Sequence, residues 1–326
     1  MIHSARGLPT SAAVSARRHA AALRCLAALL GLATSACRSA DTAPTTAPAP
    51  RLRVICSFAP VYLIARPLTA DVPELDVRLL APSLHGCPHD YELSVSDAKS
   101  IAAADAVILL GPLEPFAGDA ISRINPRARQ IICAAGLPLI PSADADEHAH
   151  YAHELPGNPH FWLSPAAAAH AADRIVAGLA ELAPAARPAL ADRRERFGRD
   201  LAALSREIDA LRPRLAGRAV VTLHDTYAYL ARDLGLTVAA TLQDSPRTEP
   251  PAARIAATLK LIRDRHVGAV LCDAGSDCRL ARTVAAEARV RFVELHALTD
   301  ASTDPAPDEY LRRMRAILHL LAESLP

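Results

Sequence analysis

The 326-residue chain has almost no net charge: 36 Lys and Arg stand against 35 Asp and Glu, a formal +1. A nucleic-acid partner calls for a basic field, and this sequence has none. Lysine is nearly missing, with Lys99 and Lys260 alone, so arginine carries the positive charge. Together with heavy use of Ala and Pro, that bias reads as genome composition and not as function. Catalytic signatures are missing too: there is no HExxH pair, GxSxG elbow, Walker A loop or GxGxxG fingerprint. These absences favour a binding protein over an enzyme.

What is present begins at the N-terminus. Arg17, Arg18 and Arg24 precede the apolar run Cys25 to Ala33, and Thr34-Ser35-Ala36 leads to Cys37. A basic region, a short apolar core and small residues before a cleavage point describe a secretory signal over residues 1–36. The run falls short of the about 20 residues a transmembrane helix needs. Cys37 after small residues resembles a bacterial lipobox, although Thr34 stands where a bulky aliphatic is usual; simple cleavage after Ala36 also fits. Residues 37–50, mostly Ala, Thr, Pro and Ser, read as a lipid-anchored or flexible tether. Export permits disulfides. Cys56, Cys87, Cys133, Cys272 and Cys278 follow the leader, and this odd number leaves at least one free thiol. Cys272 and Cys278 are close enough to bridge a short loop, which spacing alone does not establish.

With 51% hydrophobic residues, the rest of the chain can bury a large core and build two lobes. Short β-rich runs (Leu52 to Ser57, Asp76 to Leu80, Ala106 to Leu110, Gln130 to Cys133) alternate with helical patterns such as Val95 to Ala104 and Glu114 to Ile124. Alternation of this kind predicts βαβ units and a mostly parallel sheet. Ser164 to Leu182 and Arg187 to Leu215 are then helical with no strand between them. Alternation resumes with strands at Ala219 to Leu223, Val238 to Leu242, Ala269 to Cys272 and Arg291 to Leu295, and a closing helix at Leu311 to Leu321. The layout is an α/β lobe over 51–186, a bridging helix over 187–215 and a second α/β lobe over 216–326.

Thirteen histidines are present, and placement matters more than number. His89 follows the second strand, His160 precedes a helix, and His224 and His296 each end a strand. In open α/β sheets ligands bind at the carboxyl ends of the strands. Imidazoles converging at about 2.0–2.1 Å suit zinc, copper or nickel, whereas calcium and magnesium prefer oxygen.

The stretch from Arg53 to Leu321 resembles the solute-binding proteins of bacterial zinc and manganese ABC importers, the zinc-uptake and TroA-like group. Six motifs carry the resemblance: Phe58-Ala59-Pro60-Val61-Tyr62, Pro88-His89-Asp90-Tyr91-Glu92, Gly111-Pro112-Leu113-Glu114-Pro115-Phe116, Gly157-Asn158-Pro159-His160-Phe161-Trp162-Leu163, Thr222-Leu223-His224-Asp225-Thr226-Tyr227 and Ser245-Pro246-Arg247-Thr248-Glu249-Pro250. Each is weak alone; six in order are specific. The resemblance implies two α/β lobes joined by one long rigid helix. It also implies a metal site in the inter-lobe cleft, with His89, His160 and His224 as ligands. The implied role is that of an extracytoplasmic carrier, monomeric and without nucleic acid, that hands its ion to an ABC permease in the cytoplasmic membrane. It would stand in the periplasm or on the outer face of that membrane.

At the fourth ligand the chain departs from the family. An Asp is usual there, in a motif like Leu-Asp-Pro-Leu; here the segment is Leu295-His296-Ala297-Leu298. His296 as a ligand gives four imidazoles and no carboxylate, which favours Zn2+ over Mn2+. Water in the open position is the other reading. Cys87 and His85 flank His89: Cys87 reads first as a small turn residue, with thiolate ligation as the alternative. The acidic loop Asp144 to Glu154, with His148, His150 and His153, is either a weak metal collector or a solvated loop. Asp225 and Glu249 are candidates for orienting ligand imidazoles. A manganese carrier, a surface adhesin and a zinc-dependent hydrolase are the competing functions.

Overall fold

The structure is a computed structural model that describes residues 51–80, 91–111, 114, 118–141, 157–243 and 249–325. The leader and tether, the segment with His85, Cys87 and His89, and the acidic His148 to His153 loop lie outside the described residues.

Two four-stranded parallel sheets organise the chain. The first contains β1 (Leu52–Cys56), β2 (Leu75–Leu79), β3 (Ala106–Leu109) and β4 (Arg129–Ile132), in the order β2-β1-β3-β4. The second contains β5 (Ala219–Thr222), β6 (Thr237–Thr241), β7 (Ala269–Asp273) and β8 (Arg291–Leu295), in the order β6-β5-β7-β8. β3 and β7 are buried along their whole length and are apolar except for Asp273 at the end of β7, as inner strands of a covered parallel sheet tend to be. The strand order reverses between β1 and β3, and again between β5 and β7. Those are the points where an open sheet leaves a crevice beyond its strand ends.

Helices α1 (Ala59–Thr69), α2 (Val95–Ala102), α3 (Asp119–Ile124) and α4 (Pro165–Leu182) belong to the first half. Then α5 (Arg187–Leu215) carries the chain across, and α6 (Ala228–Leu234), α7 (Ala252–Asp264), α8 (Arg279–Ala288) and α9 (Glu309–Ser324) complete the second half. One expected helix is shorter than its pattern. In the Glu114 to Ile124 stretch the described helix begins at Asp119, and Gly118 takes φ +68° just before it. Glu114 instead turns its carboxylate back onto the end of β3.

The bridging helix α5 buries Leu190, Phe197, Leu201, Leu204, Ile208 and Leu215, one stripe at helical spacing. It packs against α4, α1, α6 and α9, so both halves rest on the same surface. Phe197 meets Tyr310 of α9 edge to face, with ring centroids 6.0 Å apart. The opposite face carries Arg196–Asp192 and Arg199–Glu195 pairs one turn apart; exposed pairs of this kind contribute little. A single apolar cluster runs from Val54 of β1 through α5 to Leu271 of β7 and Leu295 of β8. Two further ties join the halves: Tyr62 of α1 donates to the Thr303 carbonyl at 2.7 Å, and Arg66 to that of Pro305 at 3.1 Å.

Because α5 anchors both lobes, its core residues should be expensive to truncate. Phe197→Ala is expected to lower the unfolding free energy by about 3–5 kcal/mol, read from urea unfolding of the metal-free protein. A loss below about 1 kcal/mol would show that the helix is not the common support.

Candidate metal centre

The sequence from Gly157 to Leu163 makes a tight entry into α4. Asn158 is fully buried, and its N–H donates to Ile140 O at 2.8 Å. Pro159 follows, and His160 sits at the start of a short 3-10 turn, Phe161–Leu163, also buried. The Asn158 Oδ1 accepts the His160 backbone N–H at 2.8 Å and lies 2.9 Å from His160 Nδ1. The orientation of this amide is fixed, since its Nδ2 donates to both Asp225 O and Asp225 Oδ2 at 2.8 Å. A carbonyl oxygen only accepts, so His160 carries its proton on Nδ1 and offers the lone pair of Nε2.

His224 lies two residues beyond β5 and immediately precedes the 3-10 turn Asp225–Tyr227. Its Nδ1 faces the Gln243 carbonyl across a long 3.5 Å contact, and its Nε2 is shielded from solvent. The His160 and His224 rings lie 5.1 Å apart, centroid to centroid, at 87°. Two imidazoles bound through Nε2 at about 2.05 Å to one tetrahedral ion would have centroids about 5 Å apart. The observed pair matches that separation.

The turn after β8 joins this pair through its backbone. Trp162, two residues past His160, donates from Nε1 to Ala297 O at 2.8 Å, and Tyr227 donates to Leu295 O at 3.1 Å. Tyr310 of α9 donates to Trp162 O at 2.7 Å, and Tyr229 to Asn158 O at 2.8 Å. The His296 side chain, between the two bonded carbonyls, is 50% exposed, with Nδ1 3.3 Å from Asp300 Oδ1. Asp300 is in turn held by Arg313 at 3.0 Å.

The structure therefore brings His160 and His224 together and leaves His296 half exposed on the turn after β8. His89, His85 and Cys87 lie outside the described residues, and among the described residues no three His, Cys, Asp or Glu side chains gather into a metal-sized group. Asp225 acts on His160 through Asn158, an intermediary its place in the Asn-Pro-His motif hints at without giving a role. Glu249 is exposed. Of the thiols, Cys272 and Cys278 form a disulfide, while Cys56 and Cys133 are buried and free. His170 is a structural contrast: it uses Nε2 to reach the Ala135 carbonyl at 2.9 Å.

Two buried carboxylates frame the strand ends. Glu114 accepts the N–H groups of Leu110 and Gly111, each at 2.7 Å, and the Ser57 hydroxyl at 2.5 Å, so it ties the end of β1 to that of β3. Gly111 is required at that turn: its φ is +138°, and a Cβ there would lie 2.9 Å from the Ala134 Cβ. Burial pushes the Glu114 carboxyl up to about 7, against the opposing pull of those hydrogen bonds. In the second lobe, burial likewise raises the Asp273 carboxyl, opposed by the Ala297, Gly275 and Thr299 donors and by neighbouring His296.

Two parallel α/β lobes, a single helix joining them and paired imidazoles from loops of different lobes define a two-lobed α/β class of protein. The chain belongs to the family of the zinc-uptake complex component A, periplasmic, which matches residues 54–324. The zinc-binding lipoprotein AdcA of Streptococcus pneumoniae is 26% identical over 290 residues, 84% of this chain and 56% of that protein. The chain thus spans about half the length of such relatives. The high-affinity zinc uptake system protein ZnuA of Yersinia pestis is 28% identical over 222 residues, 62% of this chain and 69% of its own. A crystal structure of ZnuA superposes with a TM-score of 0.72 at 23% identity, covering 85% of this chain and 100% of that one, and so shares the fold.

The raised Glu114 carboxyl makes a pH prediction. The folded state holds this proton up to about pH 7, and the unfolded chain only to about 4.5. Folding therefore takes up a proton in that window, and stability declines as pH rises through it. Between pH 5 and pH 8, wild type is expected to lose up to about 3 kcal/mol relative to Glu114→Gln, measured by urea unfolding of both. A gap between the two proteins that does not change with pH would refute the assignment.

Proposed function

We propose that this chain is the extracytoplasmic binding component of a metal ABC importer, capturing Zn2+ between its lobes and delivering it to a membrane permease. Zinc here is cargo, and no reaction is assigned to the protein. The observation that carries the reading is shared by His160, His224 and His296. Each has Nδ1 against an oxygen acceptor, from Asn158, the Gln243 carbonyl and Asp300 respectively. Metal-bound histidines are oriented in this way, with the second ring nitrogen donating to an oxygen and Nε2 left for the ion. His89 supplies the further imidazole on this reading, and His296 takes the position where relatives carry an Asp. The two lobes rest on one helix and one core, which suits capture with small motions and not wide hinge closure.

The names of the relatives, a zinc-binding lipoprotein and a zinc uptake system protein, support the choice of metal. The Cys272–Cys278 disulfide suits an exported protein. With the basic and apolar leader, it supports a protein outside the cytoplasm; anchoring through Cys37 and a monomeric state complete the proposal.

Metal analysis of the purified protein, followed by competitive titration of zinc against manganese, tests the reading. Zinc is expected to win, and a preference for manganese would overturn the assignment. His160→Ala and His224→Ala should each lower zinc affinity at least about 100-fold. Asn158→Ala, which frees the His160 ring, should lower it about 10–100-fold. Binding requires neutral imidazoles, so affinity should fall as pH drops through about 6.5. An affinity that stays flat from pH 8 to pH 5 would contradict a histidine site.

A further inference from the structure

The turn that carries His296 is held from one side by a residue that no motif marks. Asp273 is the last residue of β7, paired in register with Leu295 of β8, and it is buried. Its Oδ1 accepts the Ala297 N–H at 3.0 Å, and its Oδ2 accepts the Thr299 hydroxyl at 3.3 Å. One carboxylate thus grips the chain one residue and three residues beyond His296. Between those two points lies Leu298, buried at φ +61°, a left-handed conformation that a branched side chain adopts only under constraint. The other side of the turn is held by Trp162 and Tyr227 through the Ala297 and Leu295 carbonyls.

Asp273 is itself held. The Ala274 N–H donates to Leu295 O at 2.8 Å, and the Gly275 N–H reaches Asp273 Oδ1 at 3.4 Å. The Ser276 N–H closes a turn onto Asp273 O at 2.9 Å, and the Cys272–Cys278 disulfide covalently closes the loop over residues 273–277. A cross-linked loop with a buried carboxylate at its first position is a rigid base, and a metal ligand needs a support of this kind to stay within a fraction of an ångström of its productive position.

We propose that Asp273, fixed in the loop closed by Cys272–Cys278, is the positioning residue for His296 and sets how much that imidazole contributes to metal affinity. The inference rests on the reading of His296 as a ligand. Asp273 does not touch the ion; it acts through the Leu295 to Thr299 turn.

A double-mutant cycle with the full chain tests it. Zinc affinity is measured by competition with a chromogenic chelator for Asp273→Asn, Thr299→Val and the paired Cys272→Ala and Cys278→Ala, each with His296 intact and with His296→Ala. With His296 intact, Asp273→Asn is expected to weaken binding about 10–100-fold, and the other two should weaken it in the same direction. In the His296→Ala background, all three should change affinity less than about 2-fold. Equal losses in both backgrounds, or no loss with His296 intact, would overturn the brace while leaving the ligand reading standing. An unchanged affinity on His296→Ala alone would overturn the ligand reading and the brace with it. Should Asp273→Asn fail to fold, Thr299→Val, nearly equal in volume, removes one strut without altering charge and decides the question.

Discussion

One buried amide links everything at the centre of this molecule. Asn158 donates from its nitrogen to Asp225, in the lobe built on β5, and accepts at its oxygen from His160, at the head of α4. The main-chain carbonyl of Asn158 receives the Tyr229 hydroxyl from α6. Remove the side-chain amide and four buried polar groups, two on Asp225 and two on His160, lose this partner together, at about 1–3 kcal/mol for each one left unsatisfied. The same bonds fix the tautomer of His160 and the separation of two loops that come from different sheets. Ring chemistry and lobe geometry are therefore set by one side chain, and neither can change alone.

That coupling makes sense only on a stiff frame. The apolar cluster that includes both sheets is continuous through α5, and the Tyr62 and Arg66 bonds to the segment after β8 close the far side. Packed interiors of this kind transmit strain instead of absorbing it. A histidine pair 5.1 Å apart is then held by the whole core. Pro188 lies in the first turn of α5 and exposed ion pairs decorate its outer face, so the helix serves as a strut whose inner stripe does the packing.

The alternation of strand and helix was legible because parallel inner strands are apolar throughout and α5 repeats its apolar residues at helical spacing. The same reading did not bring out α1, where Pro60 and Pro67 obscure the pattern, nor α8, whose Cys278 start is set by a disulfide. It overextended the helix before Ile124, since helical spacing does not register the +68° φ at Gly118 or the pull of a buried carboxylate on β3. At the site, His160 and His224 stood out as imidazoles at strand or helix ends. Asn158, Trp162 and Asp273 did not, because their roles lie in contacts between residues tens to hundreds of positions apart: Trp162 reaches Ala297 across 135 residues. Long-range hydrogen bonds leave no local periodicity to read.

The distribution of charge follows from the same arrangement. Neutral imidazoles leave the full charge of a dication in place, so compensation has to come from the next layer. Asp225 stands behind His160 through the Asn158 amide, and Asp300 beside the His296 ring. Arg313 offsets Asp300, and also pairs with Glu309. A unit negative charge about 6 Å from a dication is worth about 5 kcal/mol at an effective dielectric of about 20. Carboxylates held one residue back thus supply electrostatic attraction without offering the hard oxygen donors that manganese prefers. On this reading selectivity and affinity are assigned to different layers: nitrogen at the ion chooses zinc, and buried oxygen behind it determines how tightly the ion is held.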